Sequence, residues 1–311
     1  MRFSILVPAY KVNYLKKCID SVLAQSYEDW ELIVVNDASP YDIDSVLSEY
    51  DDIRIKYKKN KENYGLLHLV DNWNHCLEYA TGDYVMCIGD DDELLPNCLT
   101  DYASLICKFP DKNVYHTRLM IINEASEIIG LQEDRPEIES AYSMIWHFMK
   151  GGRTQRIGDW LFNTAQLVKM GGFVNFPCAW GSDDLTAFSM AMETGVANLH
   201  IPGFLYRNHS QSISNNAKVG FDKMEAWLQI ESWYNHFFLR TPTNELDQLY
   251  LKLIKQKFQG WLYVKKLYDL CENIAIRKRN TLIWWKRKDY YRVSKKMILT
   301  SLVLAIKKSY F

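Results

Sequence analysis

Three aspartates in a row, Asp90-Asp91-Asp92, follow the apolar run Tyr84 to Ile88 and Gly89, and precede Glu93-Leu94-Leu95-Pro96. Adjacent carboxylates repel, so each resists ionising unless a cation compensates. A hard divalent ion such as Mg²⁺ or Mn²⁺ supplies that compensation through oxygen ligands. For this segment alone the alternative is a solvated acidic turn. A second acid, Asp37, lies in Asn36-Asp37-Ala38-Ser39-Pro40 after the apolar run that ends at Val35. Its carboxylate can accept a hydrogen bond from a nucleobase imide, or it can cap the helix that follows.

The pattern around these acids places them at strand ends. Phe3 to Val7 reads as a short buried strand ending at Pro8, Glu31 to Val35 as a second, and Tyr84 to Ile88 as another, with Gly89 bending the chain out of the sheet. Between them Leu15, Cys18, Ile19, Val22 and Leu23 mark one face of a helix with Asn13 as its expected N-cap; Ile43, Val46, Leu47 and Tyr50 mark a short one. Ile53 to Tyr57 alternates like an edge strand, and Leu66, Val70, Trp73, Leu77 and Ala80 mark a third helix. Strands alternating with helices predict an α/β fold with a mostly parallel sheet flanked by helices. In such sheets ligands collect at the carboxyl ends of the strands. Pro8-Ala9-Tyr10, Asn36-Asp37 and Asp90-Asp91-Asp92 all fall there, and together they favour a nucleotide–metal site.

From 100 to 215 the pattern is less regular, with strands expected at 114–122 and 197–205 and a loop-rich stretch between them that holds Gly151-Gly152, Gly171-Gly172 and Gly181. After Gly220 the chain turns helical and aromatic. These shifts divide it into an α/β region, 1–217, and a helical, basic-aromatic region, 218–311. Nearly half of the 311 residues are hydrophobic, which excludes a disordered chain. No apolar run reaches the roughly 18 residues of a membrane span, and the N-terminus runs straight into a strand pattern without a leader. The seven cysteines show no metal-ligand spacing and read as reduced thiols, so the expected location is cytoplasmic. The net charge of −1 hides an asymmetry: residues 276–311 hold eleven Lys/Arg against the single Asp289, which leaves 26 basic and 37 acidic residues before them. Lys/Arg clusters beside Trp284-Trp285 suit an interfacial helix on anionic lipid; a packed helix with solvated lysines is the alternative. The acidic body argues against nucleic acid.

Four segments, in order, resemble glycosyltransferase family 2. SILVPAYKVNYLKKCIDSVLAQSYEDWELIVVNDASPYD (Ser4 to Asp42) is similar to the family's opening strand, helix and acid-ended second strand. NYGLLHLVDNWNHCLEYATGDYVMCIGDDDELLP (Asn63 to Pro96) resembles the stretch that ends in its D-x-D metal motif. GGFVNFPCAWGSDDLTAF (Gly171 to Phe188) resembles its G-G-F…E-D element, and YRNHSQSIS (Tyr206 to Ser214) its Y-R-x-H ending. The resemblance implies a GT-A (Rossmann-like) fold with a C-terminal helical extension. It also implies metal-dependent inverting transfer from a nucleotide-diphosphate sugar, a UDP-sugar by preference, to a glycan or lipid-linked hydroxyl in bacterial surface polysaccharide synthesis. The acceptor suits a peripheral position on the inner face of the cell membrane.

Carried over by position, Asp37 would contact the uracil, and Pro8, Ala9 and Tyr10 would line the nucleoside pocket. Asp91 and Asp90 would hold Mn²⁺ or Mg²⁺, with His209 as a further ligand. Arg207 and His209 would lie near the pyrophosphate, and Asp184 would be the general base with Asp183 its rival. The chain departs from the family at Asn36 (an aspartate there), at Gly89 (where the D-x-D begins), at Ser182-Asp183-Asp184 (an acidic pair) and at Trp73 (commonly arginine). Trp160, after Asp159, and Trp180 are candidates to stack on a sugar, or else core or lid residues. A sugar-phosphate nucleotidyltransferase would carry a Gly-rich basic loop where Pro8-Ala9-Tyr10-Lys11-Val12-Asn13 has no glycine. A non-catalytic nucleotide-sugar-binding module is disfavoured by Asp91 and Asp184 occurring together.

Overall fold

The computed structural model describes residues 1–209 and 219–308. The chain forms two compact units, Met1–Asn175 with Ser182–His209, and Phe176–Gly181 with Ser210–Phe311. The division expected at 217/218, and the Ser210 to Ser214 part of the fourth family-like segment, lie outside the described residues.

In the first unit β1 (Phe3–Ala9), β2 (Trp30–Asn36), β3 (Ile55–Lys59) and β4 (Tyr84–Cys87) pair in parallel in the order β3-β2-β1-β4. The expected strands are therefore present, and β1 runs on through Pro8. Proline is tolerated in this central strand because its last pair with β4 is Leu6 with Cys87, so the missing amide faces a neighbour that has already turned away. α1 (Leu15–Leu23) buries Leu15, Cys18, Ile19 and Val22, as the 3.6-residue period requires. Tyr14, and not Asn13, occupies its N-cap, without a side-chain bond. α2 (Ile43–Leu47) is capped by Asp42, and α3 (Leu69–Leu77) buries Val70, Trp73 and Cys76.

Beyond β4 the chain makes the short β5 (Glu93–Leu94), α4 (Cys98–Lys108), β6 (Val114–Ile122), β7 (Ile128–Leu131) and β8 (Ile138–Glu139). The stretch expected to be loop-rich instead holds α5 (Ala141–Lys150), β9 (Trp160–Asn163), α6 (Thr164–Met170) and α7 (Ser182–Ala191) before β10 (Val196–Arg207). Its glycines are helix stops: Gly151 and Gly171 end α5 and α6 in the left-handed region, at φ 86° and 99°. Among the described residues the sheet runs β3-β2-β1-β4-β9-β6-β10-β5, with β7 beside β6 and β8 beside β10. Its longer ladders are parallel, and its antiparallel pairings, such as β9 between β4 and β6, are short.

The second unit is helical: α8 (Gly220–Phe237), α9 (Glu245–Ile276), α10 (Asn280–Arg287) and α11 (Lys295–Lys308). Trp284, expected with the interfacial aromatics of the tail, is instead buried: its ring stacks on Phe221 at 4.2 Å and its Nε1 donates to Asn273 Oδ1. All seven cysteines are free thiols, and six are buried.

One buried acid fastens the parallel half. Glu31 on β2 accepts from Ser4 Oγ (2.6 Å) on β1 and from the Thr81 amide and hydroxyl before β4, and pairs with Lys56 (2.5 Å) on β3. Burial opposes its ionisation, but these donors outweigh it and lower the pKa from 4.5 to about 2. The folded pKa lies below the unfolded one, so the stabilisation is complete above about pH 4.5 and is lost as pH falls towards 2. Glu31→Gln is expected to cost about 2–4 kcal/mol at neutral pH. Urea unfolding should show that deficit shrinking between pH 5 and pH 3; a pH-independent deficit would assign it to packing.

Candidate active site

The acid turn joins β4 to β5, and its three carboxylates are used differently. Asp90 Oδ2 accepts the backbone amides of Tyr10 and Lys11, both at 2.6 Å, and so pins the end of β1. Burial and the neighbouring Asp91 raise its pKa to about 6 against those amides. Asp92 accepts from the Arg207 amide (2.9 Å) and the Gly89 amide (3.3 Å), and burial raises its pKa as well. Asp91 is the more open acid, its Oδ2 2.6 Å from His209 Nε2. A Cβ at position 89 would come within 2.6 Å of Asp91 Oδ1 and 2.9 Å of Asp92 Oδ2. Glycine at the family's first acidic position therefore makes room for the carboxylates of Asp91 and Asp92.

Arg207 holds the turn from the end of β10. Its guanidinium is fully buried and donates to Asp91 O (2.9 Å), Asn123 O (2.9 Å), Ser126 Oγ (3.0 Å) and the Glu93 carboxylate, beneath the Tyr14 ring. β5 makes this meeting possible, because Glu93 and Leu94 pair with Leu205 and Phe204 and so bring the acid turn to the end of β10.

Asp37 is buried at the end of β2. Its amide donates to Ala9 O (2.9 Å), and its carboxylate accepts from Asn60 Nδ2 (2.9 Å), Asn63 Nδ2 (3.1 Å) and the Tyr64 amide (3.0 Å). Instead of capping α2, where Asp42 serves, it holds the 60–64 loop beside Pro8-Ala9-Tyr10. Asn36, in the family's aspartate position, bonds the Tyr57 hydroxyl and the Ser39 amide. Asn60 was not singled out from sequence, since it lies before the family-like segment that begins at Asn63.

Asp183 and Asp184 open α7. Asp183 Oδ1 accepts the Asp184 amide (2.9 Å), and burial raises its pKa. Asp184 Oδ1 accepts Gln155 Nε2 (2.6 Å), and Gln155 Oε1 in turn accepts Arg135 Nη1 (3.3 Å). Arg135 is buried against the Trp160 ring, and that burial lowers its pKa to about 10. Gln132 Nε2 donates to Asp159 Oδ2 (2.9 Å), and burial pushes the Asp159 carboxyl up to about 7. No sequence signal marks Gln155 or Arg135, because their roles come from tertiary contacts 29 and 49 residues from Asp184. Trp160, a candidate sugar platform, is fully buried in β9 and is a core residue. Trp180, in the other unit, has the Lys223 ammonium 3.9 Å from its ring centre.

A model described as Glycosyl transferase family 2 matches residues 4–164, just over half of the chain. The chain belongs to this family. A Campylobacter jejuni relative, GalNAc(5)-diNAcBac-PP-undecaprenol beta-1,3-glucosyltransferase, is 38% identical over 102 residues, 32% of each protein. The chain spans less than half the length of the curated relatives it matches. Among solved structures, S. aureus TarS 1–349 in complex with UDP-GlcNAc is similar with a TM-score of 0.65 at 16% identity, over all of this chain and 92% of that one. Mannosyltransferase PcManGT from Pyrobaculum calidifontis, in complex with GDP-Man and Mn²⁺, gives 0.56 at 16% identity, over all of this chain and 87% of that one. At such identity the likeness shows the fold, and it is the GT-A α/β fold expected from the sequence.

Arg207 generates the sharpest test of this site. Arg207→Lys keeps the charge and loses the fork of donors, leaving buried acceptors unpaired at an expected cost of about 3–5 kcal/mol. Thermal and urea unfolding would register this. A variant as stable as the parent but weakened in nucleotide binding would make Arg207 a phosphate ligand instead of a clamp.

Proposed function

We propose that this chain transfers a sugar from a nucleotide-diphosphate sugar, a UDP-sugar by preference, to a hydroxyl of a glycan or lipid-linked acceptor, with inversion at the anomeric carbon. The observation that carries this reading is the Asp91–His209 pair, held where β4 and β10 end. The family assignment and a fold shared with UDP-GlcNAc-bound TarS support it. A uracil imide would take over at Asp37 the role that the Asn63 amide fills here.

Asp91 and His209 also fit a divalent ion, Mn²⁺ or Mg²⁺. They set a carboxylate oxygen and an imidazole nitrogen side by side, and such ions need few protein ligands when substrate phosphates complete the shell. PcManGT was solved with Mn²⁺. When bound, the ion supplies neutralisation of the charge on the departing diphosphate. Asp184 takes the proton of the incoming hydroxyl, and Gln155 fixes the direction in which its carboxylate faces. Asp183, turned onto the Asp184 amide, is the alternative base. The setting we propose is surface polysaccharide synthesis, and a lipid-linked acceptor, of the kind named for the C. jejuni relative, would suit a peripheral position on the inner face of the cell membrane. No helix among the described residues is long and apolar enough to cross a membrane.

Asp184→Asn is expected to lower kcat by about 10²–10⁴-fold with the nucleotide Kd unchanged, and Asp183→Asn to lower it less. Turnover assays beside calorimetry would decide, and a reversed order would make Asp183 the base. Calorimetric titration with UDP and GDP, with and without Mn²⁺, tests the donor site. Tight Mn²⁺-dependent binding of UDP alone is the expected result, and Asp91→Asn should remove the Mn²⁺ dependence. Preference for GDP would reassign the donor, no binding of either would undo the roles given to Asp37 and Asp91, and binding without turnover would point to a non-catalytic module.

A further inference from the structure

Among the described residues of the C-terminal helices, one side of α11 is both apolar and exposed. α11 packs on α9 with Met297, Ile298, Ser301 and Ala305 buried, and at 3.6 residues per turn these four share one side. Leu299, Val303 and Ile306 fall at i, i+4 and i+7 on the other side and are 50%, 52% and 41% exposed. The outward side of a soluble helix is ordinarily polar. Here its polar members are lysines at the two ends of the stripe, Lys295 and Lys296 at one and Lys307 at the other, all exposed. α10 borders the same end: the Lys295 ammonium lies 5.6 Å from the centre of the exposed Trp285 ring.

An apolar stripe bracketed by cations matches the boundary of an anionic bilayer, where apolar side chains enter the acyl edge and ammonium groups meet the phosphates. The charge disfavours the simplest rival: a second copy of this face would set lysines against lysines, in a region with eleven Lys/Arg and one acid. We infer that α11, with Trp285 of α10, docks the protein on an anionic phospholipid surface through Leu299, Val303 and Ile306 and the lysines beside them. This deepens the membrane location proposed above and rests on it. Its test needs no turnover, so loss of lipid binding and loss of transfer are read separately.

The test is co-sedimentation of the full chain with phosphatidylcholine vesicles, with and without phosphatidylglycerol. Binding is expected only to the anionic vesicles and should weaken with salt. Leu299→Gln/Val303→Gln/Ile306→Gln, with an unchanged circular dichroism spectrum, should lose at least tenfold in affinity. If that variant does not fold, Lys295→Gln/Lys296→Gln/Lys307→Gln serves instead, with a loss on the order of fivefold per lysine near the surface. No binding to either vesicle, or a folded variant that binds like the parent, would overturn the proposal. Sedimentation velocity showing a dimer that the apolar substitutions abolish would overturn it in favour of a second copy.

Discussion

Three carboxylates crowded at the end of a buried strand must each find compensation, and the architecture of the first unit follows from how they do. Burying like charges is costly unless each is hydrogen-bonded or paired. Asp90 uses the amides at the end of β1, Asp92 the amides of Gly89 and Arg207, and Asp91 the His209 ring. The buried Arg207 guanidinium supplies the positive charge beneath them, and its other donors fasten Glu93 and the 123–126 turn to the same point.

That solution divides the labour. Two acids spend their oxygens on the backbone and fix the positions of strand ends, which leaves Asp91 the one whose carboxylate meets another side chain of metal-binding type. The same economy holds at Asp37, whose carboxylate gathers the 60–64 loop over the end of β2. At α7 a neutral amide, Gln155, stands between the charges of Arg135 and Asp184, so the guanidinium reaches the carboxylate through that amide.

The C-terminal unit follows other rules. Its core is aromatic: Trp227 donates to Asp269, Trp284 to Asn273, and Tyr234 packs against Phe258 and Trp261. Buried indoles usually find a partner for the ring N–H, and for Trp227 and Trp284 an acid and an amide on α9 provide it. This is why composition alone misplaces Trp284: a tryptophan in a basic tail looks interfacial until an acceptor is found for it inside.

The sequence by itself determined the parallel strands, the acids at their ends and the family, because buried strands write continuous apolar runs and the chain must turn polar where they leave the sheet. It also marked Asp37, Asp91, Asp184 and His209 as residues of interest. It misread the stretch between β6 and β10 as loop, since two helices there are short and end in glycines that pattern reading takes for turns. Only the tertiary structure decided which acids hold backbone and which face a side chain, that Arg207 is buried, that Trp160 is core, and that Gln155 and Arg135 stand behind Asp184. Those outcomes depend on contacts between residues far apart in sequence, such as Asp91 with His209, 118 residues away. Periodicity reports which face of an element is buried and carries no record of what it is buried against.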